Sequence, residues 1–237
     1  MDVNPSAYYQ HVGQIQVTSR ISSVARRRMF EQFMAVLRPE VHHTVLDIGV
    51  TSDVANRESN YFEQLYPYKS QITCVGTEDA SHLEKAYPGL RFRRIVPNER
   101  LPFDDQAFDL AFSNAVLEHV GSAVRQQLFI AEICRVARRV FITTPNRWFP
   151  VEPHTSLPLV HYLPKPLFRR MLSGTRYGFW AEEDNLNLLT SSEFRACFGQ
   201  GYPVRVEHAG VGIGFLRSNL IGYTQRQEED TKGRRIE

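Results

Sequence analysis

The run Thr44-Val45-Leu46-Asp47-Ile48-Gly49 decides how the chain is read. It is short, mostly apolar and rich in β-branched residues, and it ends in glycine. That is the pattern of a strand buried on both faces of a parallel sheet. Working outward, Gln71-Ile72-Thr73-Cys74-Val75-Gly76 repeats it. Leu90 to Val96 is a third strand, and its alternating arginines put it toward an edge. Phe108 to Ser113 and Val140 to Thr144 are the fourth and fifth, the last ended by Pro145-Asn146. Helix-like segments lie between, at Asn60 to Tyr66, Ala80 to Tyr87 and Ser122 to Val136. The last is amphipathic, with Val124, Leu128, Ile130, Ala131, Ile133 and Cys134 expected inward.

Upstream, Val17 to Leu37 carries Ile21, Val24, Met29, Phe30, Phe33 and Val36 or Leu37 at helical spacing, and Pro39 stops it. Downstream, Leu167 to Leu172 and Ser192 to Phe198 read as short helices. Val204 to Ala209 and Gly214 to Tyr223 read as a closing hairpin. Strands alternating with helices predict an α/β fold: a doubly wound, mostly parallel seven-stranded sheet with helices on both faces and a C-terminal antiparallel hairpin. The expected domain plan is a helical flank or lid over 1–40, one domain over 41–225, and a charged tail over 226–237, expected to be disordered. Within the domain, 145–166 holds six prolines and several aromatics and reads as a functional insertion on the substrate side.

The totals exclude several classes. The 237 residues are 42% hydrophobic and 23% charged, ordinary for a soluble domain. A net charge of +2 gives no reason to expect a nucleic-acid partner. Cys74, Cys134 and Cys197 are widely spaced in apolar stretches, so they read as buried thiols in a reducing compartment. No apolar stretch is long enough to span a membrane, and MDVNPSAYYQ has no signal-type core. The expected location is the cytoplasm.

In an open parallel sheet, ligands bind beyond the carboxyl ends of the strands, near the point where strand order reverses. The ends to inspect are Asp47–Asp53, Glu78–Asp79, Pro97–Glu99, Ser113–His119 and Thr144–His154. Several have plain structural readings. Asp47 can be a turn residue, and Glu78 or Asp79 can cap the helix that follows. His119 can be a general base or can orient its loop. His154 can face substrate or staple its loop. Arg147 and Trp148 can bind an anionic or sugar-like substrate or simply pack the loop. Tyr8 and Tyr9 can close over a ligand or tie down the N-terminus. Glu118, His119, Glu152 and His154 have the right types for an oxygen/nitrogen metal site. No tight spacing such as HxxxH joins them, and no metal is expected.

The run LPFDDQAFDL (Leu101 to Leu110), continuing through SNAVLEHV (Ser113 to Val120), resembles the segment around the fourth strand of class I S-adenosylmethionine-dependent methyltransferases of the small-molecule type. VLDIG resembles their first motif, and VGTED the end of their second strand. The run from Ile142 to Pro164 resembles a subgroup associated with saccharide or secondary-metabolite gene sets. The resemblance covers about residues 40 to 200 and implies a Rossmann-like fold with S-adenosylmethionine as cofactor. It implies that Asp47 and Gly49, with Thr51 in the turn, sit beside the methionine part. Glu78, or else Asp79, would accept the ribose hydroxyls. Asn98 and Glu99 would approach the adenine, and Asn114 and Ala115 would line the methyl-donor pocket. His119 or His154 would accept the proton, and Arg147 and Trp148 would meet the acceptor.

Two positions depart from the family pattern. The turn Gly49-Val50-Thr51-Ser52-Asp53 keeps the first glycine, but Thr51 and Asp53 replace the second and third. Pro97-Asn98 replaces the usual aspartate after strand three. The expected function is methyl transfer to an oxygen of a small molecule or saccharide. The alternative is an inactive methyltransferase-like protein that binds or regulates a partner. The expected partners are that acceptor and either a second copy or a partner protein, with neither nucleic acid nor membrane.

Overall fold

The computed structural model describes residues 16–53 and 59–224. Tyr8, Tyr9 and the tail from Arg226 lie outside them. The described elements are α1 (Gln16–Leu37), β1 (Val45–Ile48), α2 (Tyr61–Leu65), β2 (Ile72–Gly76), α3 (His82–Ala86), β3 (Arg91–Arg94) and β4 (Phe108–Asn114). Then come α4 (Ala123–Val136), β5 (Ala137–Pro145), α5 (Lys165–Leu172), α6 (Ser191–Cys197), β6 (Val204–Ala209) and β7 (Asn219–Thr224). They form one seven-stranded sheet in the order β3-β2-β1-β4-β5-β7-β6. The first five strands pair in parallel, and β7 pairs antiparallel with both β5 and β6. Strand order therefore reverses between β1 and β4, where a crevice is expected. Among the described residues, no helix is long and apolar enough to cross a membrane.

Strand alternation divides the core. Val45, Cys74, Leu110, Phe112 and Phe141 point to one face, beneath α1 and α2. Leu46, Ile48, Val75, Ala111 and Ile142 point to the other, beneath α4 and α6. Phe33 of α1 sits at the centre of the first layer, edge-on to Phe62 (5.1 Å), Phe112 (5.5 Å) and Phe141 (5.7 Å). The exposed arginines of β3 protect the sheet edge, as charge on an edge strand does. Beyond β5 the chain builds a third apolar cluster, around Phe168, Leu172, Trp180, Leu186 and Leu188.

The helix faces differ from the sequence reading. Val124, Leu128 and Ala131 of α4 are exposed, and the inward stripe is Gln126, Ile130, Ile133 and Cys134. Gln126 takes an inward place because its amide donates to the carbonyls of Leu117 (3.1 Å) and Asn187 (2.9 Å). A buried polar group is tolerated when so bonded, and this rotates the helix away from the purely apolar solution. On α1, Val24 and Val36 face solvent, and Leu37 is the buried member of the Val36–Leu37 pair. The last strand starts at Asn219 rather than Gly214, because Gly212 and Gly214 have positive φ and a 3-10 turn, Gly214–Leu216, intervenes.

Candidate active site

The turn after β1 is held from both sides. The amides of Gly49 and Val50 donate to the Val75 carbonyl (2.9 and 3.2 Å). Thr51 is clamped by Asn60, whose Oδ1 accepts the Thr51 amide and whose Nδ2 donates to the Thr51 carbonyl, both at 2.9 Å. Ser52 donates its amide (3.3 Å) and its hydroxyl to Glu78 Oε2, so Glu78 reaches from the end of β2 to the turn. Gly49 has φ +106° and is exposed. A Cβ on Gly76 would lie 2.5 Å from the Val50 carbonyl oxygen, so glycine is needed there for close approach.

The other crevice residues divide clearly. The Asp47 carboxyl is buried on the α2 face against Glu63. Burial first, and the Glu63 carboxyl second, push Asp47 well above the ordinary range, which favours the protonated form of this pair. Asp79 is exposed and accepts the Ser81 amide at 2.9 Å, a turn-capping role. Asn98 and Glu99 are exposed beyond β3, Asn98 with φ +61°. At the end of β4, Asn114 Oδ1 accepts the Thr143 hydroxyl (2.6 Å), and Ala115 turns the chain with φ +54°. Arg147 donates to the carbonyls of His161 (3.3 Å) and Leu163 (2.8 Å) and lies over the Trp148 ring. Tyr162 donates to the Trp148 carbonyl (2.6 Å). Arg147 and Trp148 therefore knit the insertion together.

The two candidate histidines do meet. Their rings are edge-to-face with centroids 4.9 Å apart, although His119 follows β4 and His154 follows β5. Trp180 lies beside both, 4.8 Å from His154 and 6.1 Å from His119. His119 Nδ1 is bonded to the Asn185 carbonyl at 2.6 Å, and His154 Nδ1 to Glu152 Oε1 at 2.6 Å. Glu118 is wholly buried, and its Oε2 accepts the Thr144 hydroxyl at 2.9 Å.

Burial pushes Glu118 up to about 7 and His119 down to about 3. Burial opposes the charges of the other pair, but their mutual attraction and hydrogen bonds win, raising His154 and lowering Glu152 to about 2. Asn185 and Trp180 were not singled out from the sequence. They are remote from both histidines along the chain, and only the folded insertion brings them in.

The residues at the turn fit the expected cofactor. The exposed, positive-φ Gly49 gives backbone access, and the Glu78 carboxylate, bonded to Ser52 of the same turn, is an acceptor of the kind a ribose diol needs. Thr51 and Asp53 are tied within the turn, Asp53 accepting the Ser59 hydroxyl (3.0 Å) and donating its amide to Thr51 Oγ1 (3.1 Å).

Residues 52–140 match the family described as "Methyltransferase domain". A search of curated proteins finds no match. Among solved structures, the fold is similar to a SAM-dependent methyltransferase from Aquifex aeolicus (TM-score 0.58, 14% identity, covering 94% of this chain and 98% of that one). It is also similar to a possible histamine N-methyltransferase from Thermotoga maritima (0.53, 14%, 87% and 92%). A complex between the Haloferax volcanii Trm112 methyltransferase activator and a putative methyltransferase gives a third match (0.54, 14%, 89% and 94%). At these identities the structural likeness is one of fold.

Proposed function

We propose that this chain, whose residues 52–140 match the methyltransferase-domain family, is a class I S-adenosylmethionine-dependent methyltransferase with S-adenosylmethionine as its cofactor, and that it methylates a hydroxyl oxygen of a small molecule or saccharide. The observation that carries the choice of oxygen is the meeting of His119 and His154, each with Nδ1 fixed by an acceptor. A hydroxyl must give up its proton as it is methylated, whereas a neutral amine attacks through its lone pair. A polar group of this kind is what an oxygen acceptor requires.

The bound cofactor supplies a methyl group already activated on a sulfonium. The chain's residues then align the acceptor, exclude water and take up a proton. Glu78 accepts the ribose hydroxyls, Gly49 and Thr51 form the backbone cradle, and Asn98 and Glu99 lie toward the adenine. Asp47 supports the turn from below, while Asn114 and Ala115 line the donor side. Buried Trp180 walls the histidine pair, and Nε2 of His154, in the neutral form of its ring, accepts the proton, with Glu152 holding the tautomer and stabilising the imidazolium that results. Arg147 and Trp148 shape the insertion that receives the acceptor.

We place the acceptor insertion within the 41–225 domain and the working compartment in the cytoplasm, in keeping with three buried free thiols. A homodimer or a protein partner suits this reading, and the Haloferax complex is a precedent for the second. The comparisons give the inactive alternative no support.

The test is to incubate the protein with S-adenosylmethionine and a panel of phenols, hydroxylated metabolites and sugars, and to follow S-adenosylhomocysteine and the position of the new methyl group. An O-methyl product that drops at least tenfold in His154→Ala supports the proposal. A product methylated only on nitrogen or carbon overturns it.

A further inference from the structure

Side chains that hold a metal ion bring lone pairs to one point while hydrogen bonds behind them fix their orientation. Three residues here do this. Glu118 Oε2 is taken by the Thr144 hydroxyl (2.9 Å), and its Oε1 is buried with no hydrogen-bond partner. His119 Nδ1 faces the Asn185 carbonyl (2.6 Å). A carbonyl only accepts, so Nδ1 carries the hydrogen and Nε2 the lone pair. His154 Nδ1 faces the Glu152 carboxylate (2.6 Å), so Nδ1 carries a hydrogen, and Nε2 offers its lone pair when a metal displaces the ring's second proton. Glu152 is itself held by the amides of His154 (3.1 Å) and Thr155 (2.6 Å). A carboxylate behind an imidazole is the usual support of a metal-binding histidine.

The coordinating atoms converge. One from each of Glu118, His119 and His154 lies within 4.8 Å of the others. Glu118 Oε1 and His119 Nε2 are 3.6 Å apart. Bonds of about 2.1 Å in a tetrahedral site put ligand atoms roughly 3.4 Å apart, so this pair already fits, and a separation at the 4.8 Å limit must close by about 1.4 Å as side chains rotate onto the ion. Glu118, raised to about 7 by burial, can hold a proton in this place, and a metal ion would take that proton's position between the two atoms.

We propose that Glu118, His119 and His154 form a binding site for one divalent transition-metal cation. This departs from the expectation of no metal, which rested on sequence spacing. Two imidazoles and one carboxylate suit Zn²⁺ or a neighbouring first-row ion such as Co²⁺ or Mn²⁺, and not Mg²⁺ or Ca²⁺, which prefer oxygen alone. Three protein ligands leave a coordination position open. In the part that rests on the O-methylation reading, that position takes the acceptor oxygen and eases loss of its proton, and His154 then serves as a ligand rather than as the base.

The test uses tag-free full-length protein, stripped by chelator and titrated with Co²⁺ alone, without cofactor or acceptor. Visible absorption reads Co²⁺ binding, and Zn²⁺ competition and calorimetry follow. The expected result is one equivalent bound and displaced by Zn²⁺. Affinity should fall at least tenfold in His119→Ala, His154→Ala and Glu118→Gln, and about 10- to 100-fold in Glu152→Gln, which alters only the support. His42→Ala, an exposed surface change, should bind as wild type. Absence of a Co²⁺ band and of Zn²⁺ heat in the wild-type protein overturns the proposal whether or not the variants fold. So does binding that all four site variants leave unchanged. Efficient O-methylation by protein that binds no metal sinks this inference and leaves the proposed function standing. Stoichiometric metal binding with methylation only on nitrogen does the reverse.

Discussion

Gly49 and Val116 are packed so closely that a Cβ on Gly49 would lie 2.1 Å from Val116 Cγ2. Gly49 also has φ +106°, outside the range side-chain-bearing residues favour. Gly49→Ala therefore suffers both backbone strain and overlap. Each costs roughly 1–3 kcal/mol, so a loss of about 2–6 kcal/mol in urea unfolding is expected. Val116→Ala in the same chain should recover only the overlap part, and a double-mutant cycle separates the two. A Gly49→Ala cost below about 0.5 kcal/mol would show that turn and β4 loop separate easily.

Phe33 tests whether α1 is a detachable lid or part of the core. It is fully buried among Phe62, Phe112 and Phe141. Arg139 of β5 also donates to the Leu37 carbonyl at 2.8 Å. Phe33→Ala should cost about 3–5 kcal/mol of global stability by denaturant unfolding. A separate early transition, with the main unfolding step unmoved, would make α1 a lid.

The sheet was legible because its strands are continuous apolar, β-branched runs, a pattern few other arrangements satisfy. The edge position of β3 was legible from its arginines. The inward face of α4 was not, because Gln126 earns its place only through carbonyls of Leu117 and Asn187, one of them far along the chain. The site shows the same division. His119 and His154 were each picked out by type and by position after a strand. Their 4.9 Å approach depends on the folded insertion, as do Asn185 and Trp180 beside them. Arg147 was picked out by type, but its guanidinium is bonded to carbonyls of its own insertion, a contact that spacing does not encode.

Glu78 carries the prediction for the cofactor side. Its carboxylate is half-buried and bonded to Ser52, not to the core, so its removal should spare the fold. Loss of charge-assisted bonds to a ribose diol is worth about 1.5–3 kcal/mol, so Glu78→Ala should weaken S-adenosylhomocysteine binding roughly 10- to 100-fold by calorimetry. Ser52→Ala should have a smaller effect, because it loosens the carboxylate without removing it. Equal affinity in wild type and Glu78→Ala would exclude Glu78 from the cofactor site.

The Asp47–Glu63 pair sets a pH dependence whose sign can be worked out. Burial raises both carboxyls, and for Asp47 the neighbouring Glu63 adds to it. In the unfolded chain they lose their protons near ordinary values, about 3.9 and 4.3. Between those values and the raised ones, the folded protein holds more protons than the unfolded chain. Stability is therefore fully present below about pH 4 for this pair and falls as pH rises, by up to about 1.4 kcal/mol per pH unit for each proton retained. This is opposite to the usual salt-bridged carboxylate. Glu63→Gln leaves one titrating carboxyl without its charged neighbour, so its urea-unfolding stability should decline less between pH 4 and 7 than that of the wild type. Parallel pH profiles for the two proteins would mean that the pair is ionised in the fold and that its charge is balanced some other way.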